Sequence, residues 1–370
     1  MKEKLRDIFK NFNNYKNINW DFKIFKKKIS QLDNNIETID YFYYPIDFKN
    51  KINLKELRGI TYNKKIDKLF PSISKFFVYP YQYTNEEINL LEKNVRIFTS
   101  LEKQDGSLII PYINSNNQIV FKTKFSFDNN IIDDVNKFIQ QNTSYIKFIN
   151  KMYELNYQPL FEYISPNNKI VVNYNKSSLV LIAIRNMDNF SYIEFYNNDK
   201  IINLINEHNI SFTKINKIKN LTLKEYYNQI KNLTGIEGYV VYTNKGLFKL
   251  KTEWYMKKHK IAPISLNDKK IRELIINNKI DEIDIVNDNE LKERINNLEK
   301  EYIILYNDFE KVLNKYKNIK EIDKDIAKEI IKEKLSGYIF KYIRNHESIK
   351  DLFNDYYMKL FRIKRLKEMI

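Results

Sequence analysis

The sequence predicts an α+β fold in which antiparallel sheets with packed helices fill the first part of the chain and helices alone fill the last. Three observations carry that reading. Between about residues 106 and 252 short apolar runs come in pairs around polar turns, the mark of hairpins. Between two of those hairpins, residues 130–156 place Ile132, Val135, Phe138 and Ile139 on one helical face. Beyond about 258 the period-2 patterning stops and only helical spacing remains.

Taken in order, residues 1–35 read as helical, opening with the amphipathic MKEKLRDIFKNF. GSLIIPYI (106–113) and QIVFKTKF (118–125) flank NSNN as a hairpin. LFEYI (160–164) and KIVVNY (169–174) flank SPNN in the same way. SLVLIAIR (178–185) does not alternate and reads as a buried strand. IEGYVVYT (236–243) and LFKLKT (247–252) form a third hairpin across NKG. HKIAPISLND, with Pro263, reads as a linker. After it Leu291, Ile295, Leu298, Tyr302, Leu305, Phe309, Val312 and Tyr316 step by four and three, a seven-residue repeat along one long helix. Such a stripe suits a coiled coil or partner helix, and more readily one helix of a small bundle. Two domains follow, 1–258 and 259–370, as the length of 370 residues also suggests.

Composition narrows the chemistry. The absence of Cys removes disulfides and thiolate metal sites, and His208, His259 and His346 have no metal-ligand spacing. The longest apolar run, Leu179 to Ile184, is far short of a membrane span, so a soluble cytoplasmic protein is expected. The net charge of +16 points to an anionic partner, nucleic acid first. Part of the Lys excess reflects a general richness in Lys, Asn, Ile, Tyr and Phe. Arg, by contrast, occurs only nine times, so one inside a motif carries weight.

One ordered set of residues describes a reaction. Lys103-Gln104-Asp105-Gly106-Ser107 stands just ahead of the first hairpin, and alone would pass for a turn with a solvated lysine. Arg58-Gly59 precedes it; Phe161-Glu162, Glu237-Gly238, and Lys249 with Lys251 follow. The last two alternate along a strand and so share one face. An ordinary lysine, with a pKa of about 10.4, is almost wholly protonated at neutral pH. Burial and cationic neighbours such as Lys249 and Lys251 would lower it and make it a nucleophile. The same two lysines suit charge developing on a phosphate. Glu237 suits magnesium or its bound waters, and Glu162 a ribose hydroxyl.

In the order KQDGS, FEY, EGYV and KLK the chain resembles the covalent nucleotidyltransferases, which include ATP-dependent ligases and GTP-dependent capping enzymes. ELRGITYN, ISKFF, FKTKFS, FEYISPNNKIVVNY and KLKTEWY look like the RNA ligase 1 branch, the bacteriophage tRNA-repair type, over residues 54 to 258. The resemblance implies an adenylyltransferase domain over 1–258 and an all-helical domain over 259–370 that helps engage RNA. It implies ATP as co-substrate, with Mg2+, or Mn2+ in its place. Lys103 would carry AMP. Arg58, Lys75 and Lys124 would handle the ATP phosphates or the RNA end, and Lys249 and Lys251 the α-phosphate. Glu102 and Glu162 would lie at the nucleotide, Glu237 at the metal, and Ile182 and Val240 on either side of the adenine. Phe77, Asp105, Gly106 and Tyr255 match positions needed for activity. Lys122 competes with Lys124 for its role, one of the pair being expected on a solvated face. Phe125 stands where the family has a small residue, which puts the local shape of that hairpin in question. The implied partners are single-stranded RNA ends, such as a cleaved tRNA anticodon loop, and an end-healing kinase-phosphatase; the protein would act as a monomer. The alternatives are a DNA ligase, a capping enzyme, or a non-catalytic RNA-binding protein with a transferase fold. The lack of a strand pattern after 258 disfavours the first two, and the intact charged motifs disfavour the third. A basic cluster at the end, Lys359, Arg362, Lys364, Arg365 and Lys367, could touch phosphates or simply be solvated.

Overall fold

The computed structural model describes residues 1–18, 25–41, 52–258, 268–276, 289–319, 321–345 and 347–368. Side chains are described up to residue 360, so all of the basic end cluster except Lys359 lies outside the described side chains, as the linker at 259–267 lies outside the described residues. The described residues fall into two compact units, one up to residue 258 and one from 268 onward. Among them no helix is long and apolar enough to cross a membrane.

The described residues of the first unit form three sheets. Strands β1 (Phe25–Ile29), β2 (Ile36–Tyr41), β3 (Ile60–Asn63) and β4 (Lys68–Phe70) form an antiparallel sheet in chain order. Strands β5 (Val78–Tyr79) and β6 (Ile97–Glu102) belong to a second sheet, and β7 (Ser107–Ile113), β8 (Ile119–Lys122), β9 (Tyr157–Ile164), β10 (Ser178–Asn186) and β11 (Tyr192–Ile193) make a third. The second sheet is completed by β12 (Ile215–Leu221), β13 (Gly238–Thr243) and β14 (Gly246–Lys251), in the order β12-β6-β13-β14-β5. The third runs β11-β10-β9-β7-β8. Period-2 alternation decides what each face of β13 and β14 meets. Val241 and Leu250 enter one core with Tyr226, Tyr227 and Ile230 of the helix Leu223–Ile230. Tyr242, with Val240 packed beside it, enters another with Leu101 of β6, Phe161 of β9 and Leu181 of β10. Val240 pairs directly with Lys249, so Lys249 and Lys251 share the face turned toward the third sheet.

Helices Asn130–Gln141 and Ser144–Glu154 cover this second core with Ile132, Val135, Ile139, Phe148 and Met152. The predicted single helix is therefore two, broken at Asn142 and Thr143. Asn129 caps the first by accepting the Ile132 N–H at 3.0 Å, a contact of about 1 kcal/mol.

Three expectations are corrected. Residues 25–29 are strand rather than helix. FKKKI is held by register with β2, and its lysines line an edge, where charge deters further pairing. Residues 169–174 form no strand, and β9 pairs with β10 instead. The backbone N–H groups of Val171 and Val172 are taken by the Asp105 carboxylate, at 2.8 and 2.7 Å, so they cannot serve a ladder. The arm QIVFKTKF ends as strand at Lys122, because Thr123 and Ser126 close a tight turn through a 2.9 Å backbone bond that takes in Phe125.

In the second unit, helix Asn289–Asn314 is the predicted long one. Leu291, Ile295, Leu298, Tyr302 and Phe309 are buried as the repeat requires, but Tyr306 and Leu313 are buried where Leu305 and Val312 are only half-buried. A straight helix at 3.6 residues per turn drifts about 20° per heptad against a strict repeat, so its buried stripe rotates. Tyr302 meets Phe353 and Tyr357 of helix Ile349–Glu368 at 5.1 Å, making it one member of a helical bundle.

Candidate active site

Lys103 leaves the second sheet at the end of β6 and Gly106 enters the third just before β7, so Lys103-Gln104-Asp105 is the crossing between two sheets. Three sets of bonds fix the crossing. The Lys103 N–H donates to the Gly238 carbonyl at 2.9 Å. The Asp105 N–H donates to the Tyr174 hydroxyl at 2.9 Å. The buried Asp105 carboxylate accepts from Val171, Val172 and the Tyr255 hydroxyl, the last at 2.7 Å. At Gly106 a Cβ would stand 2.2 Å from the Tyr163 carbonyl oxygen, so only glycine lets the strands meet there.

Around the crossing the predicted residues converge. Lys103 Nζ lies 2.6 Å from Glu237 Oε2, and Lys251 Nζ lies 3.1 Å from Glu237 Oε1. Glu237 and Lys251 are buried, whereas the Lys103 side chain keeps 22% of its surface exposed. The Lys251 ammonium also sits 5.0 Å over the Tyr255 ring, which joins Asp105, Tyr255, Lys251, Glu237 and Lys103 in one network. Lys249 lies 5.1 Å over the Phe76 ring. From β9, Glu162 Oε1 accepts the Gly106 N–H at 3.2 Å.

The electrostatics differ from expectation at the central residue. Burial alone would pull the Lys103 amine down, but Glu237, Glu162 and Asp105 face it and hold it above the ordinary lysine value. Its strongest charged neighbours are carboxylates, so the expected lowering by Lys249 and Lys251 is overturned in this arrangement. Glu237 is held below the usual carboxylate range: burial pushes it up, and Lys103 and Lys251 overcome that. Glu162 is pushed up to about 7 by burial, against the pull of Lys103, with Glu237 adding to the rise.

Arg58 reaches the Ile73 carbonyl at 3.3 Å and feels the Glu162 charge. Gly59 follows at φ 72°, where a Cβ would meet the Lys124 carbonyl oxygen at 2.6 Å; the Arg-Gly pair thus depends on the FKTK turn. Lys124 pairs with the buried Asp40 at 3.2 Å. Lys122 is the correction here: neither lysine of FKTK is a solvated face residue. Lys122 is wholly buried and donates to Thr38 Oγ1 and to the carbonyls of Thr123 and Lys124, at 3.0, 3.2 and 2.9 Å. Lys75 is buried, 5.4 Å over the ring of Phe77, itself in the core. Ile182 stands at a bulge in β10, between Leu181 and Ala183, and like Val240 is only half-buried among buried neighbours. A bulge re-aims a side chain, here away from the core. Glu102 is half-buried at the end of β6, opposite Tyr239.

Sequence reasoning missed several supports. Arg185 is buried and grips Glu56 at 2.7 and 3.0 Å, together with the Ser72 and Phe190 carbonyls, anchoring the strand-preceding turn that carries Arg58. An arginine inside the apolar run SLVLIAIR was the available signal. Tyr174 and Thr213 carried none, since their partners are distant in the chain.

Comparisons with known proteins show what the chain is similar to. Residues 56–260 match the model of a family described as RNA ligase. Over 344 residues the chain is 24% identical to a protein of Thermovibrio ammonificans provisionally named an RNA ligase, covering 90% of this chain and 85% of that one. An archaeal ATP-dependent RNA ligase superposes with TM-score 0.48 at 13% identity, over 87% of this chain and 85% of the other. A variant of Naegleria gruberi RNA ligase with ATP and Mn gives TM-score 0.40 at 16% identity; it is matched over 58% of its length, less than two thirds.

Proposed function

Because the chain belongs to the RNA ligase 1 family, we propose that it seals RNA with ATP through AMP carried on Lys103. The observation that carries this reading is the Lys103–Glu237–Lys251 cluster at the crossing between two sheets. Lys103 Nζ attacks the α-phosphorus of ATP, a nitrogen–phosphorus bond forms, and pyrophosphate leaves. AMP then passes to the 5′-phosphate of an RNA, and a 3′-hydroxyl displaces AMP to close the phosphodiester.

The side chains divide the work. Lys103 must be unprotonated to attack, and Glu237 Oε2 is what holds its proton. Once that carboxylate is engaged elsewhere, burial becomes the dominant influence and the amine pKa falls. Lys251, and Lys249 on the same strand face, offset charge on the α-phosphate. Arg58, Lys75 and Lys124 take the outer phosphates or the RNA end. Glu162 accepts from a ribose hydroxyl, and Glu102, Ile182 and Val240 border the base. Asp105, Gly106, Tyr255 and Phe77 fix the frame.

A divalent cation fits this donor set in one particular way. Among the described residues no group of three or more His, Cys, Asp or Glu could hold a metal ion. Magnesium, however, often binds through one or two carboxylates and the substrate phosphates. Glu237 is the carboxylate that would hold it, and when bound it would supply neutralising charge to the phosphates.

The substrate we assign is single-stranded RNA ends, such as a cleaved tRNA anticodon loop made ready by an end-healing kinase-phosphatase. The helical part, 259–370, is assigned to RNA engagement, and the protein to the cytoplasm as a monomer. The net charge of +16 supports an RNA partner. The test is joining of a 5′-phosphate, 3′-hydroxyl RNA with Mg2+ and ATP or GTP. Joining with ATP alone, lost in Lys103→Ala, is expected. Labelling of the protein by α-labelled GTP instead would replace a ligase with a capping enzyme.

A further inference from the structure

We infer that Thr213, outside every motif, is the positioning residue that sets the aim of the Lys103 side chain; the inference rests on Lys103 being the AMP-bearing amine. Thr213 is 1% exposed. Its hydroxyl donates to the Glu102 carbonyl at 2.5 Å and accepts from Gln104 Nε2 at 3.2 Å. One oxygen therefore ties the residue before Lys103 to the residue after it. The backbone on either side of Thr213 is anchored as well. The Glu102 N–H donates to the Lys214 carbonyl at 2.9 Å, extending the pairing of β12 with β6. The Thr213 N–H donates to the Leu181 carbonyl at 3.1 Å, and the Leu181 N–H donates to the Ser211 carbonyl at 2.8 Å. Residues 211–215 thus span from the bulge that carries Ile182 to the end of the strand that carries Lys103.

This arrangement has a chemical consequence. The Lys103 backbone is held by its N–H to the Gly238 carbonyl and by the peptide units on each side of it, and four side-chain torsions multiply any tilt of that backbone at the amine. A hydroxyl that clamps both neighbours limits the tilt. In a displacement at phosphorus, an error of about 1 Å in the nucleophile costs on the order of 100-fold in rate. Threonine suits the place because its hydroxyl donates once and accepts at the same time. Valine would keep the shape and all three backbone anchors but neither clamp bond.

The test compares the native full chain with Thr213→Val, Thr213→Ser and Lys103→Ala. Single-turnover AMP uptake is followed against ATP concentration with Mg2+, and sealing of a pre-adenylated RNA is followed separately. In the second reaction AMP is already on the RNA, so Lys103 has no bond to make. The expected result for Thr213→Val is a roughly 10- to 100-fold slower uptake at saturating ATP. The half-saturating ATP concentration and the sealing of pre-adenylated RNA should stay close to native, and Thr213→Ser should restore uptake. Native uptake in Thr213→Val, equal losses in both reactions, or no rescue by serine would each overturn the inference. If Lys103→Ala itself still takes up AMP, the underlying assignment of the nucleophile has failed instead.

Discussion

Two lysines of the first unit, Lys103 partly and Lys122 wholly removed from water, stand in opposite electrostatic states. Lys122 is wholly enclosed among a hydroxyl and two carbonyls, and burial drives its amine down to about 7; Lys124 and Lys28 add to the fall and Asp40 opposes it. Lys103 meets Glu237 at 2.6 Å and is held above the ordinary value, although burial pulls the other way. Burial alone therefore does not select the reactive amine. Lys122 has the lowered pKa but no route to a substrate, and its partners are the Thr38 hydroxyl of β2 and two carbonyls of its own turn. Lys103 keeps part of its surface open, and its partner is a carboxylate that another cation can engage. Access and an exchangeable counter-charge are what the proposed nucleophile has and the enclosed lysine lacks.

That contrast can be broken most severely at the two lysines and at Glu237, the partner of Lys103. Lys103→Ala should remove AMP uptake by roughly 10⁴-fold or more, measured by label retained on protein; uptake surviving in that variant would erase the distinction. Glu237→Gln should lower uptake by roughly 100-fold. It should also let an amine-selective reagent modify Lys103 faster at pH 8, since each unit of pKa lost gives about tenfold more free amine. Slower modification would mean that Glu237 does not set the Lys103 proton. Lys122→Met should instead reduce stability by about 2–4 kcal/mol, seen as a lower Tm, because two carbonyls and a hydroxyl lose their buried donor. A folded Lys122→Met chain should still take up AMP.

The smallest effect concerns Glu162, titrating near 7 in the fold against an ordinary 4.5. A carboxyl whose pKa is raised by folding contributes its stability fully below 4.5, and that contribution is lost as pH rises to 7. Glu162→Gln should therefore gain on the native chain by on the order of 2 kcal/mol between those limits and level off above them, read from urea midpoints. A pH-independent difference would place Glu162 in water rather than buried beside Gly106.

The legible parts of this molecule are those whose signal is local. The hairpins 107–122 and 238–251 could be read because turn residues and alternation lie within a few positions. The Lys103, Glu162, Glu237 and Lys251 set could be read because chemistry confines each to few residue types. KIVVNY failed because its amides serve Asp105, 66 and 67 positions away, and no strand propensity reports a distant carboxylate. FKKKI failed because pairing with β2 outweighed the helical reading of the start. Lys122 was misplaced because alternation predicts a face but not whether the fold covers it. Thr213 was silent because its importance is a relation between residues 102 and 104.

The most direct measurement is the intact mass of the full chain after ATP and Mg2+, followed by peptide mapping of any adduct. The account predicts one AMP per chain, bound through nitrogen within the peptide containing Lys103 and released by pyrophosphate. An unmodified chain that nonetheless joins RNA, or AMP on any other residue, would contradict it.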